Sequence, residues 1–446
     1  MSSRIPHARQ RGAALLVAVT AIAIITVISV DLAFSTRVSV QAAANARDEL
    51  RALALAKSGV ALSRLVLNMQ QQLDAAGGAV GQAAGALTGA GGALGGAAGA
   101  LAGAGQLSLR LWDLVPVDSS MTQVFLGGAA GAGSAPPPLF QAAAQAQGPG
   151  GPAEGAAATG TARQFGDAQG SFHAEIDDED RKINIRQFDA IGALPYVQTL
   201  RLAQLVVDPR YDFLFNEDDA NGIRVTRPEL FAALKDWQDV DETSSAYTGD
   251  ARNPFQNGFG DENGIYDRLD DRYKAKNAAF DSLDELYLVA GISDAFMAAF
   301  GDKLTVYPDV NATVNVNTTD PQQLLLNALI MSDPPGVPQP ALADPQFLGK
   351  LQNALALVRP LPFMSMKPQQ FAAALQALQV KVRSEFTQSV TDPGKSGFGD
   401  RSTTFRIRSV GSVGDVKKTI DAVVTFDRRA EGLARDQGRL LHWHEE

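Results

Sequence analysis

Side chains able to do chemistry are concentrated between residues 236 and 271. Ten acids (Asp236, Asp239, Asp241, Glu242, Asp250, Asp261, Glu262, Asp267, Asp270 and Asp271) face only two bases there, Arg252 and Arg268. Trp237, Phe255, Phe259 and Tyr266 are interleaved with them, and Tyr273 follows. Crowded carboxylates repel, so such a segment folds only where water or cations screen the charge. Calcium takes six to eight oxygens from carboxylates, amides and backbone carbonyls. Asp239 and Asp241 near the end of a helix, with Glu262 and Asn263 from a loop, offer donors of that kind. A solvated acidic loop is the alternative reading. Residues 217–222 (EDDANG) carry half of a calcium-loop pattern. Pro228 stands at its twelfth position, where a bidentate Glu is needed, so an Asn-Gly turn accounts for them.

Other chemistries are hard to build. The chain of 446 residues has no cysteine, which removes disulfides, thiolate catalysis and Cys-based metal sites. Its histidines are His7, His173, His442 and His444, and no Ser/His/Asp set is evident. The Gly-rich residues 77–103 lack the lysine and flanking strand of a phosphate loop. A net charge of −10 argues against a nucleic-acid partner. Residues 286–293 and the helix after them look like a helix-hairpin-helix, but Asp294, Asp302 and Asp309 surround the unit and favour packing or protein docking. These features together point away from an enzyme.

The elements that position the acidic span begin with an unusual N-terminus. Arg4, Arg9 and Arg11 precede nineteen uncharged residues, 12–30. That run spans roughly 28 Å as a helix, close to the hydrocarbon thickness of a bilayer. The basic leader should stay in the cytoplasm and the rest should face outward. A cleaved secretory signal, a plain signal anchor and a prepilin-type leader cut between Gly12 and Ala13 are the three readings. Two features favour the last. Arg-Gln-Arg-Gly abuts the apolar run, and the helical pattern continues beyond it. Leu55, Gly59, Leu62, Val66 and Met69 follow 4-3-4-3 spacing, which predicts a helix over 13–73.

Residues 75–104 hold 24 Ala or Gly and no charge. The span 74–169 reads as a low-complexity insertion with one strand near 106–112. A strand and acidic turn follow over 170–187. Residues 188–388 read as helices: 190–206, 228–240, 282–290 opened by a Ser282/Glu285 capping box, 294–300, 320–331, 346–357 and 367–378. Residues 304–307 and 313–317 are short extended pieces. Residues 389–428 return to strands as a hairpin around 411–415, and 429–446 form a charged tail that should fray. The fold class is α+β: a long N-terminal pilin-like helix packed on a small antiparallel sheet, with a large all-helical domain inserted between strands.

Several spaced motifs in this order resemble the minor pseudopilin K family of type II secretion systems. The N-terminal Arg-Gln-Arg-Gly-Ala-Ala-Leu-Leu-Val is similar to its prepilin leader, including apolar Val17 where sister subunits carry glutamate. Asp177–Ile185 (DDEDRKINI) resembles its acidic turn and Lys-Ile-Asn. Residues 236–241 (DWQDVD) resemble its Trp-x-Asp-x-Asp motif. Glu262-Asn263, Tyr266, Tyr273 and Asn277 keep the spacing of a further run, and residues 282–286, 289–291 and 314–318 complete the match. The resemblance covers about 8–70, 170–330 and 400–428. Ala13 replaces the bulky residue common at the cut, and Asn263 stands where aspartate is frequent. The resemblance implies a non-enzymatic subunit at the pseudopilus tip, initiating or capping assembly for export of folded proteins. It implies a single pass through the bacterial inner membrane, with the bulk of the chain periplasmic. Its partners would be minor pseudopilins I and J, other pseudopilins, prepilin peptidase and the inner-membrane secretion platform. It implies methylation of the cut N-terminus, and calcium held first by Asp239, Asp241 and Glu262, then by Asp236, Asn263 and Asn277. The alternatives are a membrane-anchored periplasmic calcium-binding adaptor with no filament role, and a DNA-uptake protein.

Overall fold

The computed structural model describes residues 8–75, 110–114, 116–119, 170–218, 222–250, 253–269, 271–359, 364–387, 396–426 and 438–446. Most of the Ala/Gly-rich insertion lies outside the described residues, as do 106–109 of the expected strand and 219–221 of the Asn-Gly turn. Helix α1 (Ala8–Ala75) is one uninterrupted helix of 68 residues, about 100 Å long at 1.5 Å per residue. Gly12 and Ala13 lie within its course. It is long and apolar enough to cross a membrane, and residues 15–43 are exposed throughout.

The second half of α1 buries a stripe that the large apolar residues only partly foretell. Val66 and Gly59 are buried, whereas Leu55, Leu62 and Met69 sit at the margins. The centre of the stripe is Ala52, Ala56, Gly59 and Ser63. Small side chains at 4-3-4 spacing let the helix backbone approach the sheet. A Cβ on Gly411 would lie 2.0 Å from the Ala52 carbonyl oxygen and 2.6 Å from the Ala56 nitrogen. One on Gly59 would lie 2.2 Å from Ser409 Oγ.

After α1 come a helical turn, α2 (Leu111–Leu114), then β1 (Val117–Asp118) and β2 (Ser171–Asp178). Residues 111–112 of the expected strand are thus helical, and the strand that borders β2 starts at Val117. The backbone N–H of Leu111 is held by Gln70 Oε1 of α1, which anchors a turn there.

The inserted block follows in chain order: β3 (Ile183–Asn184), α3 (Leu194–Val206), α4 (Phe213–Asn216), α5 (Arg227–Asp236), β4 (Thr243–Tyr247), β5 (Phe255–Asp261), α6 (Asp294–Phe300), β6 (Leu304–Thr305), β7 (Val314–Asn315), α7 (Pro321–Met331), α8 (Phe347–Val358) and α9 (Pro368–Ala377). It builds two apolar cores. One runs from Ile183 to Tyr307 around Trp237, Phe231 and Phe296, and the other from Val314 to Phe398 around Leu351 and Phe371, with Val197 joining it. The helix expected over 282–290 is a 3-10 segment, Leu283–Leu288. Ser282 makes no capping bond there, and the Glu285 carboxylate accepts from Asp281 N–H and pairs with Lys276 at 2.9 Å instead of reaching Ser282 N–H.

The chain closes with β8 (Phe398–Gly399), β9 (Thr404–Val413), β10 (Val416–Thr425) and β11 (Arg439–Glu445). A five-stranded antiparallel sheet has the order β1-β2-β9-β10-β11. The tail residues 439–445 therefore do not fray. They pair with the otherwise open edge of β10, whose N–H and C=O groups would face solvent alone. Period-2 alternation sends Phe405, Ile407, Ile420, Ala422 and Val424 toward α1. The other face carries Arg406, Arg408 and Asp421, and turns toward the helical block.

The acidic turn joins sheet to block. Asp178 Oδ2 accepts from Asn315 Nδ2 (2.9 Å) and Ser402 Oγ (2.6 Å). Glu179 meets Arg406 at 2.7 Å and Lys182 at 2.8 Å, and Asp180 accepts from the N–H groups of Thr403 and Thr404. Asn317 extends the network by exchanging hydrogen bonds with the Met366 backbone, at 2.7 and 2.9 Å.

The helix–sheet approach gives a direct test. Gly411→Ala forces its methyl against α1 backbone, which cannot swing aside as a side chain can. Chemical denaturation of the full chain should show a loss of about 3 kcal/mol, the upper part of the range for overpacking. A loss under about 0.5 kcal/mol would refute this docking.

Candidate metal centre

Three of the acids singled out by sequence converge. Carboxylate oxygens of Asp236, Asp239 and Glu262 lie within 4.8 Å of one another, and all three residues are buried. Asp236 closes α5, which starts with a Thr226/Glu229 capping box and a proline in its first turn. Asp239 follows one turn later, fixed by Gln238, whose Nε2 donates to the Ile185 carbonyl at 3.0 Å. Glu262 opens the 3-10 turn Glu262–Gly264 directly after β5, where Asp261 caps Asn263 N–H at 2.9 Å. Trp237, Tyr266 and Tyr273 pack edge-on or tilted beneath the cluster, with ring centroids 5.1–6.2 Å apart.

The polar atoms around the cluster are incompletely satisfied. Asp236 Oδ1 accepts from Ser245 N–H at 2.9 Å. Lys235 donates to Asp239 Oδ2 and also reaches Asp189 at 3.5 Å. Asp239 Oδ1 and both Glu262 oxygens are buried without a hydrogen-bond partner, and so is Asn277 Oδ1. Asn277 adopts a left-handed backbone (φ +49°), and its Nδ2 donates to the Asp241 carbonyl at 2.9 Å, which orients the amide. Burial pushes the Glu262 carboxyl up to about 7, and neighbouring Asp239, Asp236 and Asp241 add to the effect. Burial likewise pushes Asp236 up to about 6 and raises Asp239, against the opposing pull of Lys235.

The structure reorders the expected ligands. Asp241 has an exposed side chain, and its Oδ1 accepts from Thr243 N–H at 2.8 Å. Asn263 uses Oδ1 to accept from Ala275 N–H at 3.0 Å and Nδ2 to bond Asp261. Neither joins the convergent set, whereas Asp236 and the Asn277 oxygen fit it. Lys235 was not read as part of the site. Its place four residues before Asp239 on one helix face was the available signal.

Oxygens within 4.8 Å of one another are close enough to share an ion at ligand distances of about 2.4 Å, the calcium value. An all-oxygen set of two aspartates, a glutamate and an amide suits a hard divalent cation. A single Lys235 leaves the trio of carboxylates undercompensated.

No protein-family model matches the chain, and no curated protein matches it. Among solved structures, it is similar to a chain of the GspK-GspI-GspJ complex from the enterotoxigenic Escherichia coli Type 2 Secretion System. The TM-score is 0.38 at 17% identity, over 62% of this chain and 80% of that one.

Two outcomes test the site. Asp236→Asn should weaken calcium binding about tenfold or more, while Asp241→Asn should change it less than about threefold, by calorimetry. Equal losses would return Asp241 to the ligand set. The second test is pH. Asp236 and Glu262 have raised folded pKa values, about 6 and about 7, so the native state binds protons more tightly than the unfolded chain. Without calcium, stability should therefore fall as pH rises from about 4 through 7. Calcium holds the carboxylates ionised and should flatten that fall, and Glu262→Gln should shrink the difference between chelator and calcium melts. Identical pH profiles with chelator and calcium would make the cluster a solvated acidic patch.

Proposed function

We propose that this chain is a minor pseudopilin at the tip of a type II secretion pseudopilus, a non-enzymatic subunit that initiates or caps assembly. The observation that carries the reading is α1: one unbroken helix, exposed and apolar in its first half, packed through small residues on an antiparallel sheet in its second. The ordered motifs add support. The acidic turn and the Val-Asn-Val-Asn segment meet in one hydrogen-bonded network, and the Trp-x-Asp-x-Asp and Glu-Asn…Asn motifs meet in the carboxylate cluster.

In this reading prepilin peptidase removes residues 1–12, and Ala13 becomes the methylated N-terminus. The first half of α1 stays in the inner membrane, and the remainder stands in the periplasm. An uncompensated charge in lipid costs several kcal/mol, by estimates that span about 3 to well over 10. A shaft subunit uses a glutamate at its fifth residue to neutralise the amine of the subunit above. Val17, exposed on α1, offers no such carboxylate, which suits a subunit with nothing above it. The helical block would obstruct a shaft position but not a cap. Minor pseudopilins I and J would dock along α1. Calcium would be held by Asp236, Asp239, Glu262 and Asn277, where it compensates repulsion and fixes the 3-10 turn against α5.

N-terminal sequencing of the mature protein tests the reading. It should begin at Ala13, and Gly12→Leu should leave a precursor about twelve residues longer. A mature start near Ala43 would fit a secretory signal and end the filament reading. Val17→Glu should fold normally but lose its confinement to the tip, read by crosslinking in assembled pseudopili. Unchanged confinement would assign tip position to the bulk of the helical block instead.

A further inference from the structure

The turn after β2 holds four consecutive acids, Asp177 to Asp180, and the cations around it are divided unevenly among them. Arg181 Nε lies 3.1 Å from Asp178 Oδ2. Lys182 reaches Asp177 at 3.3 Å and Glu179 at 2.8 Å. Arg406 of β9 is shared between Glu179 at 2.7 Å and Asp421 of β10 at 2.8 Å. Arg110, just before α2, pairs with Asp113 at 2.9 Å, and Arg401 donates to the Asp74 carbonyl of α1. Among the described residues no cation lies within ion-pair distance of Asp180, although that residue is only 6% exposed. Its Oδ2 accepts from the N–H groups of Thr403 and Thr404, and its Oδ1 is buried without a partner. Its own N–H donates to Asp178 Oδ1 at 3.0 Å, which ties the two acids together.

We propose that Asp180 carries a proton in the folded chain at neutral pH, and that this proton makes the joint between sheet and helical block a pH-sensitive clamp. An ionised carboxylate buried without a cation costs more than its neutral acid, so the acid is the form that folds. Asp178 and Asp180 interact and titrate as a pair. The proton resides on Asp180, because Asp178 has Arg181 beside it and receives Asn315 and Ser402, whereas Asp180 Oδ1 receives nothing. Burial raises the Asp180 carboxyl, and the charge of Asp178 raises it further. Glu179 differs, since its two cations outweigh its burial and keep it ionised. Loss of the Asp180 proton adds an uncompensated charge where β2, β9 and the residues beside Asn315 of the block meet. A folded value above the unfolded one, about 4 for aspartate, contributes stability at low pH that is lost as pH rises toward the folded value. The joint is therefore firmest when protonated and loosens on alkalinisation. The inference is independent of the secretion role and of calcium.

Asp180→Asn mimics the neutral acid: it keeps an oxygen for the Thr403 and Thr404 N–H groups and cannot ionise. Chemical denaturation of the full chain in detergent micelles with saturating calcium, at a series of pH values, compares it with wild type. Groups elsewhere contribute equally to both chains. The folding constant of the variant should gain on that of wild type by about tenfold per pH unit between pH 5 and 7, the signature of one proton taken up on folding. Asp177→Asn, at an exposed and ion-paired position, should keep the wild-type pH dependence. Infrared difference spectra at pH 7 should show a protonated-carboxyl band that Asp180→Asn removes and Asp177→Asn retains. A ratio of folding constants that does not change with pH would overturn the proposal, as would absence of that band. An Asp180→Asn chain that does not fold would show that the charge itself is required and would overturn it too.

Discussion

Three carboxylates taken out of water at the end of β2 hold this molecule together. Asp178, Glu179 and Asp180 are buried side by side, an arrangement that costs several kcal/mol per charge unless donors and counter-charges offset it. The donors come from everywhere the fold needs joining. Ser402, Thr403 and Thr404 precede or open β9, Arg406 is within it, and Asn315 belongs to β7 of the helical block. Burial raises the carboxyls of Asp178 and Asp180, while the ion pairs of Glu179 outweigh its own burial and lower it. The turn can therefore persist only when the strand before it, the block after it and the returning strand are all in place. It makes the insertion of some two hundred residues compatible with one sheet.

How much of this was legible follows from what each residue type broadcasts. The long helix, the C-terminal hairpin and the acidic span declared themselves through periodicity and charge. Ala52, Ala56 and Gly411 were silent, because a small residue that permits close approach looks the same as one that does nothing. β11 was silent for another reason. Its Leu-Leu-His-Trp-His alternation is flanked by charges, and only the open edge of β10 gives it a partner. The Glu285 half of the capping box at Ser282 is missing because that carboxylate pairs with Lys276, 2.9 Å away and nine residues earlier in the chain.

At the carboxylate cluster, the sequence placed the acids but not which of them converge. Asp236 and Asp239 share a helix face by their spacing of three, whereas Asp241 lies past the last turn and rotates outward. That difference depends on where α5 stops, and helix ends are the least legible feature of a sequence. Asn263 and Asn277 are indistinguishable as letters. Only the backbone decides that one amide oxygen is spent on Ala275 N–H while the other stays buried and unpartnered.

A chain without cysteine must close its long loops by other means. The candidate ligands come from the end of α5 (Asp236 and, just past it, Asp239), the 3-10 turn after β5 (Glu262) and the loop at Asn277, so the hairpin β4–β5 and short 3-10 turns lie between them. Loop closure costs entropy that grows slowly with length, so one cross-link over about 25–40 residues can order the whole stretch. The aromatic layer of Trp237, Tyr266 and Tyr273 supplies part of that link through burial. The carboxylates above it work against it until their charge is compensated. Carboxylates thus do in this protein what disulfides do elsewhere. At the turn after β2 the chain's own hydroxyls, amides and cationic side chains meet most of the oxygens, while Glu179 Oε2 and Asp180 Oδ1 stay unpartnered. In the cluster of Asp236, Asp239 and Glu262 the nearby cation is Lys235, and the unpartnered oxygens of Asp239, Glu262 and Asn277 are where the proposed calcium would complete the link.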